Sequence, residues 1–258
     1  MLKGTMSGTV PTWFLLLFFS LLGLAFGSFA TALIHRVPTS ESLSTRSKCI
    51  HCSKQLTWRE NIPLFSYLAL RGKCSGCAAH ISFLYPAIEF AMLLLFITPL
   101  FLLHSWSAVI LWQVLSIFGV PLLVIDLQHH RLPDFLTRVL CGTSLLVILA
   151  DAIGRNHFDR IAPSLIGALS LMLFYLLLQI VSRGGMGMGD VKLAASIGLI
   201  SAYLGLRALF TASFAAFFLG AFVGITLMVF GKAGRKTAIP FGPFMIAGQF
   251  ISLIIYAH

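Results

Sequence analysis

Two sets of residues in this chain are equipped for chemistry. Asp126 closes the apolar run that ends in IDLQHHRLPD, and Asp190 opens the run that begins in GGMGMGDVKL. An ionisable side chain at or within an apolar segment is costly in lipid, which makes it a functional candidate. Two carboxylates sharing one proton suit aspartic proteolysis: one takes a proton from a water while the other protonates the carbonyl under attack. Like charges at close range do not both ionise cheaply, so such a pair titrates as a coupled unit. Plain structural duties fit the same positions, since Asp is a preferred N-cap and the end of a span meets solvent.

The second set is Cys49-Ile50-His51-Cys52 and Cys74-Ser75-Gly76-Cys77, with 21 residues between the two pairs. Each pair can supply two thiolates to one tetrahedral ion, the pattern of structural zinc sites. Four cysteines complete that shell, leaving His51 and His80 as spare ligands and no open position for catalysis. Reduced thiols are the rule in the cytoplasm, and metal binding would fold a loop with little apolar core. Gly76 permits a tight knuckle. Cys141 stands alone inside an apolar run and reads as packing.

The elements that must position these groups are membrane-spanning helices. Of 258 residues, 58% are hydrophobic and only 10% charged, against about a quarter charged in soluble domains. The apolar runs are continuous rather than alternating, which predicts helices and not a barrel. Eight spans are expected at about 12–34, 82–103, 107–125, 135–152, 162–182, 191–204, 206–230 and 241–257. The division between the sixth and seventh is the least marked. The fold class is therefore an all-α polytopic membrane protein with a small tetracysteine loop. Its expected parts are a first helix over 1–35, the loop over 36–80, and a membrane core over 81–258.

The net charge of +10 is not a nucleic-acid footprint, because the basic residues lie between spans rather than in one patch. Seven fall in the loop, from Arg36 to Lys73, and seven more on the same side, including Arg131, Arg138, Arg183, Lys192, Lys232, Arg235 and Lys236. Only Lys3, Arg155, Arg160 and Arg207 fall opposite. This bias makes the loop cytoplasmic and both termini extracytoplasmic, with Asp126 and Asp190 at the cytoplasmic face. Lys3, the run Trp13 to Phe26 and Ala30-Thr31-Ala32 also mimic a cleavable secretory signal, but cleavage there would put the basic loop outside.

Around Asp190, Gly184, Gly185, Gly187 and Gly189 admit an irregular backbone along which an extended substrate could lie. Gly23/Gly27 and Gly220/Gly224 are small-xxx-small pairs suited to close helix packing. Glu89, inside the second span, reads as a buried hydrogen-bond partner ahead of a substrate contact. His129 and His130 beside Asp126 are solvated or tune its pH response. Lys192 could attract an acidic substrate residue or a lipid headgroup, and Met186 and Met188 are adaptable apolar surface.

Gly187-Met188-Gly189-Asp190 with Val191-Lys192 resembles the GxGD motif of membrane aspartic proteases. IDLQHHRLPD is similar to the first aspartate motif of the type IV prepilin peptidases, with Asp126 the matching catalytic residue and Asp134 a helix start. The likeness continues in Gly27-Ser28-Phe29, Arg36, Pro38, Pro63, Tyr67, Tyr85-Pro86, Glu89 and Pro240-Phe241-Gly242-Pro243. The ordered set is what identifies the chain as a member of that family. It departs at Thr31, where the family usually has Asn, which touches any substrate or cofactor contact made there. The resemblance implies a bifunctional inner-membrane enzyme. Such an enzyme cleaves basic leaders from prepilins or type II secretion pseudopilins at the cytoplasmic face. It then N-methylates the new terminus with S-adenosylmethionine. The family's tetracysteine loop implies zinc. No glycine-rich loop following a strand marks a soluble methyltransferase fold, so the methyl-donor residues are not named by sequence. Two other functions share some of these features, a zinc-handling transporter or scaffold and a presenilin-like intramembrane protease. A transporter calls for charged residues deep in several spans, whereas the acids here cluster at span ends.

Overall fold

A computed structural model describes residues 11–182, 186–231 and 239–257. Arg183, Gly184 and Gly185, and the basic residues Lys3, Lys232, Arg235 and Lys236, lie outside the described residues. The chain divides into two compact units after Phe101.

The first unit holds α1 (Thr12–Arg36), the loop with α2 (Phe65–Ala69), and α3 (Leu84–Ile97), which runs on into α4 (Pro99–Leu102). α1 and α3 meet through Gly23 and Gly27. A Cβ on Gly27 would stand 2.8 Å from the Glu89 Cα, and one on Gly23 would stand 2.9 Å from the Leu93 Cα. This small-xxx-small pair therefore brings two backbones into contact, as its spacing predicts. The other pair does something different: Gly220 lies against the rings of Phe241 and Phe244, and Gly224 against Ile239.

The second unit comprises α5 (Trp106–His129), α6 (Asp134–Arg155), α7 (Ile161–Val181), α8 (Met188–Leu204), α9 (Leu206–Val229) and α10 (Gly242–Tyr256). Among the described residues, six helices are long and apolar enough to cross a membrane: α1, α3 with α4, α5, α6, α7 with its preceding turn, and α9. The chain is a multi-pass, all-helical membrane protein. The sixth and eighth expected spans are the shorter helices α8 and α10. At about 1.5 Å per residue, α8 reaches only ~25 Å, less than a ~30 Å hydrocarbon core. Gly205, at φ +130°, separates α8 from α9, which is where the sequence was least explicit.

Burial sorts these helices. Two thirds of the α5 span is enclosed by protein, against 11% of α9, and α8 is buried along nearly its whole length. α9 turns Phe210, Phe214, Phe218 and Phe222 outward at helical spacing, as a lipid-facing stripe should. The enclosed helices approach closely at small residues: a Cβ on Gly198 of α8 would fall 2.3 Å from the Gly167 carbonyl oxygen of α7.

A buried polar knot ties the other ends of these helices. The Tyr203 hydroxyl lies 2.7 Å from Asp151 Oδ2 and 3.0 Å from Ser107 Oγ. Arg155 and His157 pair with the same carboxylate, and Arg160 donates to the Tyr203 carbonyl at 2.9 Å. Asp151 drew no notice in the sequence because nothing near it looks like a motif. It fixes the ends of α5, α6 and α8 remote from Asp126 and Asp190.

Candidate active site and metal centre

Asp126 stands in the last turn of α5. The helix stops there because His130 takes a left-handed conformation (φ +51°) and its N–H bonds the Asp126 carbonyl at 2.8 Å. Pro133 then leads into α6, whose first residue is Asp134. The Asp126 side chain is 5% exposed, and its Oδ2 accepts the Gly242 N–H at 3.0 Å. Gly242 opens α10, so this donor is one of the N–H groups that a helix start leaves without an intrahelical partner, at the positive end of the helix dipole. A Cβ on Gly242 would stand 2.7 Å from that carboxylate oxygen. Only glycine lets the backbone come this near.

Asp190 is held in a related way. It is the third residue of α8, buried, and its Oδ2 accepts the N–H of Gly187, the residue before the helix, at 3.2 Å. It thus closes the carboxylate half of a capping box, one turn on from the N-cap position. Each aspartate is therefore fixed by a glycine N–H at a helix start.

The two carboxylates are near enough to feel each other's charge, and Leu132 is wedged between their supports. A Cβ on Gly189 would meet the Leu132 Cβ at 2.7 Å, and one on Gly242 would meet the same side chain at 3.2 Å. Neither Leu132 nor Tyr175 was singled out by sequence. α7 and α8 run antiparallel and cross at Gly167 and Gly198. Eight residues along each helix from that crossing are Tyr175 and Asp190, and the tyrosine lies within electrostatic reach of the acid. Its ring, almost wholly buried, packs on Phe217 and Phe241, and Phe241 directly precedes Gly242. The signal was present in register: a lone tyrosine two turns from a glycine that must face another helix.

Other candidates take plainer roles. Lys192 is not a free cation for substrate or lipid, because both Asp134 oxygens receive its ammonium at 2.6 Å. His129 and His130 are exposed, and His130 lies within electrostatic reach of Asp126. Cys141 is half-buried on α6 near Ser196 of α8, consistent with packing.

In the first unit, Cys49, Cys52, Cys74 and Cys77 converge. Their sulfurs all lie within 4.8 Å of one another, with Cys49–Cys77 and Cys52–Cys74 each at 3.9 Å. A disulfide needs about 2.05 Å, whereas sulfurs ~2.3 Å from one tetrahedral ion are spaced about 3.8 Å apart. The donor set fits a metal ion. The two halves are copies of one turn. In each, the first cysteine carbonyl accepts an N–H from four residues on (Ser53 and Ala78), and its sulfur accepts one from two residues on (His51 and Gly76). Ser53 and Ala78 both sit at φ +57°, and short bridges join Lys48 to Gln55 and Lys73 to His80. This repeat escaped the sequence because its matching residues, Ser53 and Ala78, are chemically unrelated to the left-handed backbone they adopt. Gly76 leaves room for a neighbour: a Cβ there would meet the Lys54 side chain at 2.9 Å.

A polar clasp joins the two turns. Lys54 donates to Glu60 at 3.1 Å and to Ser75 at 2.7 Å, and Ser75 also donates to Glu60. The Ser75 hydroxyl, then the N–H of Thr57, hold the Glu60 carboxyl down at about 2. Glu89 is bound to the loop rather than across helices, its Oε2 accepting the Leu64 N–H at 2.7 Å.

Residues 21–103 match the Bacterial Peptidase A24 N-terminal domain, and residues 113–225 match the Type IV leader peptidase family. The chain belongs to the type IV leader peptidase family. The second match carries both aspartates, and the first carries the four cysteines and Glu89. Relatives named "Prepilin leader peptidase/N-methyltransferase" are similar over most of the chain. The Myxococcus xanthus protein is 38% identical over 224 residues, 85% of this chain and 65% of that protein. Those of Stutzerimonas stutzeri and Bacillus subtilis are 33% and 32% identical, covering 90% of this chain and 88% and 91% of their own lengths. No solved structure matches. In the leader peptidase family frame, Gly242 supports Asp126 from beyond the matched segment.

Proposed function

We propose that Asp126 and Asp190 are the catalytic pair of a membrane aspartic endopeptidase. The enzyme removes leader peptides from prepilins or pseudopilins, and the new N-terminus is then methylated. The observation that carries this reading is the matched mounting of two buried carboxylates, each on a glycine N–H at a helix start and each inside the segment matched by the leader peptidase family. A water between them loses a proton to one carboxylate as it attacks the scissile carbonyl, while the other donates its proton to that oxygen. As the tetrahedral carbon collapses, the captured proton passes to the leaving amine and a hydroxyl of the diol returns a proton to the other carboxylate, which leaves the pair with one shared proton again. No metal takes part in these steps.

The cytoplasmic face of the inner membrane is the proposed location, supported by the basic bias of the loop. The four cysteines hold zinc in a structural role. S-adenosylmethionine supplies an electrophilic methyl group to the freed amine. The test is incubation of the purified protein with a prepilin and methyl-labelled S-adenosylmethionine. The expected products are a shortened chain carrying the label and a free leader. An uncut prepilin would overturn the peptidase reading, and a cut but unlabelled product the methyl-transfer reading.

A further inference from the structure

The loop between α1 and α3 turns large apolar side chains outward. Trp58, Phe65 and Leu68 are between 66% and 73% exposed. Phe65 and Leu68 are spaced i, i+3 and so share one face of α2, while Ser66, Tyr67 and Leu70 are half-buried. Trp58 directly precedes a short 3₁₀ turn, Arg59–Asn61, that packs against α2. The Arg59 guanidinium carbon lies 5.1 Å from the centre of the Trp58 ring. Scattered apolar side chains on a surface need no explanation, but a grouped patch marks an interaction surface.

The depth of this patch decides its partner. Leu64, the residue before α2, donates its N–H to Glu89 Oε2 at 2.7 Å. Glu89 is the sixth residue of α3, so its Cα lies about 7.5 Å along a helix that begins a membrane span. Its side chain leans back toward the helix start. The bond therefore holds α2 level with the first turns of the span, where headgroups meet acyl chains. The lipid-facing surface runs up to the same level: Phe83, Phe90 and Leu94 are exposed at spacing i, i+7, i+11, one face of α3 and its lead-in. Charge agrees with this placement. Arg59, Arg71 and Lys73 are exposed, and the loop from Arg36 to Lys73 has seven basic residues against Glu41 and Glu60. Trp and Arg both suit the interface, each with an apolar body and a polar end.

We propose that Trp58, Phe65 and Leu68 seat the tetracysteine loop on the bilayer surface. The three side chains enter the upper acyl region, and the exposed basic residues of the loop meet anionic headgroups. The test uses the intact protein in nanodiscs, irradiated with two carbene-forming phospholipids. One reacts beside the glycerol backbone, the other at the acyl terminus. The first should label Trp58, Phe65 and Leu68. The second should label Leu94, about 15 Å along α3. Phe65→Ser with Leu68→Ser should lower labelling of residues 58–68 at least about fivefold and leave Leu94 labelled as before. Phe65→Trp with Leu68→Trp should keep the wild-type pattern. Adding phosphatidylglycerol to phosphatidylcholine discs should raise labelling of residues 58–68 about threefold, and about 1 M salt, with its ~3 Å Debye length, should remove that gain. No label at residues 58–68 while Leu94 reacts would overturn the proposal. So would loss of that label when a prepilin or a second chain shares the disc, since the patch would then be a protein contact. Labelling indifferent to phosphatidylglycerol would overturn the headgroup contact.

Discussion

The tetracysteine loop and the aspartate site solve one problem, holding reactive groups at fixed positions, by opposite physical means. The loop has almost no buried apolar surface, and its order comes from four converging sulfurs, a left-handed residue closing each cysteine turn and a lysine–glutamate–serine clasp. The aspartate site sits among buried helices that approach at glycine and is finished by two backbone N–H groups. On the proposed zinc assignment, order in the first is conditional on a ligand. Order in the second is built into packing, and a metal chelator should tell the two apart.

The sharpest way to break that comparison is to remove the metal. Structural zinc contributes an apparent ~10–16 kcal/mol to small metal-folded units. Cys52→Ser with Cys74→Ser should therefore abolish a zinc content of about one per chain and speed proteolysis between Arg46 and Lys73. Helix content should hold, and cleavage should fall only in part. Zinc retained in that double variant would sink the four-thiolate assignment.

Next in size are the acids. Asp126→Asn and Asp190→Asn should each lower leader cleavage by at least ~10³-fold, with zinc content and S-adenosylmethionine binding unchanged. Near-wild-type turnover by either would remove that residue from the mechanism. Gly242→Ala places a Cβ 2.7 Å from Asp126 Oδ2 and should cost about 10²-fold in kcat by displacing that carboxylate. Tyr175→Phe keeps the ring stack and removes one hydroxyl. A fall of about three- to tenfold in kcat at constant KM is expected, and an unchanged kcat would leave the tyrosine as packing alone.

The smallest effect belongs to the clasp. The Glu60 carboxyl is held at about 2 against an ordinary 4.5. Its contribution is complete above pH ~4.5 and fades as the pH falls toward 2, since the folded state then takes up the proton late. The difference in loop protease resistance between wild type and Glu60→Gln should accordingly be constant from pH 7 to ~5 and narrow below that. A difference that widened on acidification would contradict this account.

Spans, the acid pair and the cysteine spacing were legible because each rests on residue type and period. The apolar runs gave α1, α7 and α9 to within about two residues and α5 and α6 to within about four, and both aspartates lie at helix ends, Asp190 on a helix shorter than the expected span. What stayed hidden depends on contacts between distant segments. Gly242 is one glycine among many until α10 is seen to start against Asp126. Lys192 looked available until Asp134 met it, and Tyr175 acquires meaning only from the Gly167–Gly198 crossing.

Leu132 has a mechanical consequence. One side chain presses on the supports of both acids, so the gap between the carboxylates is set by a single shim rather than by two independent mounts. A substrate strand that leans on the turn from His130 to Pro133 would then move both acids together, conserving their spacing while shifting their aim.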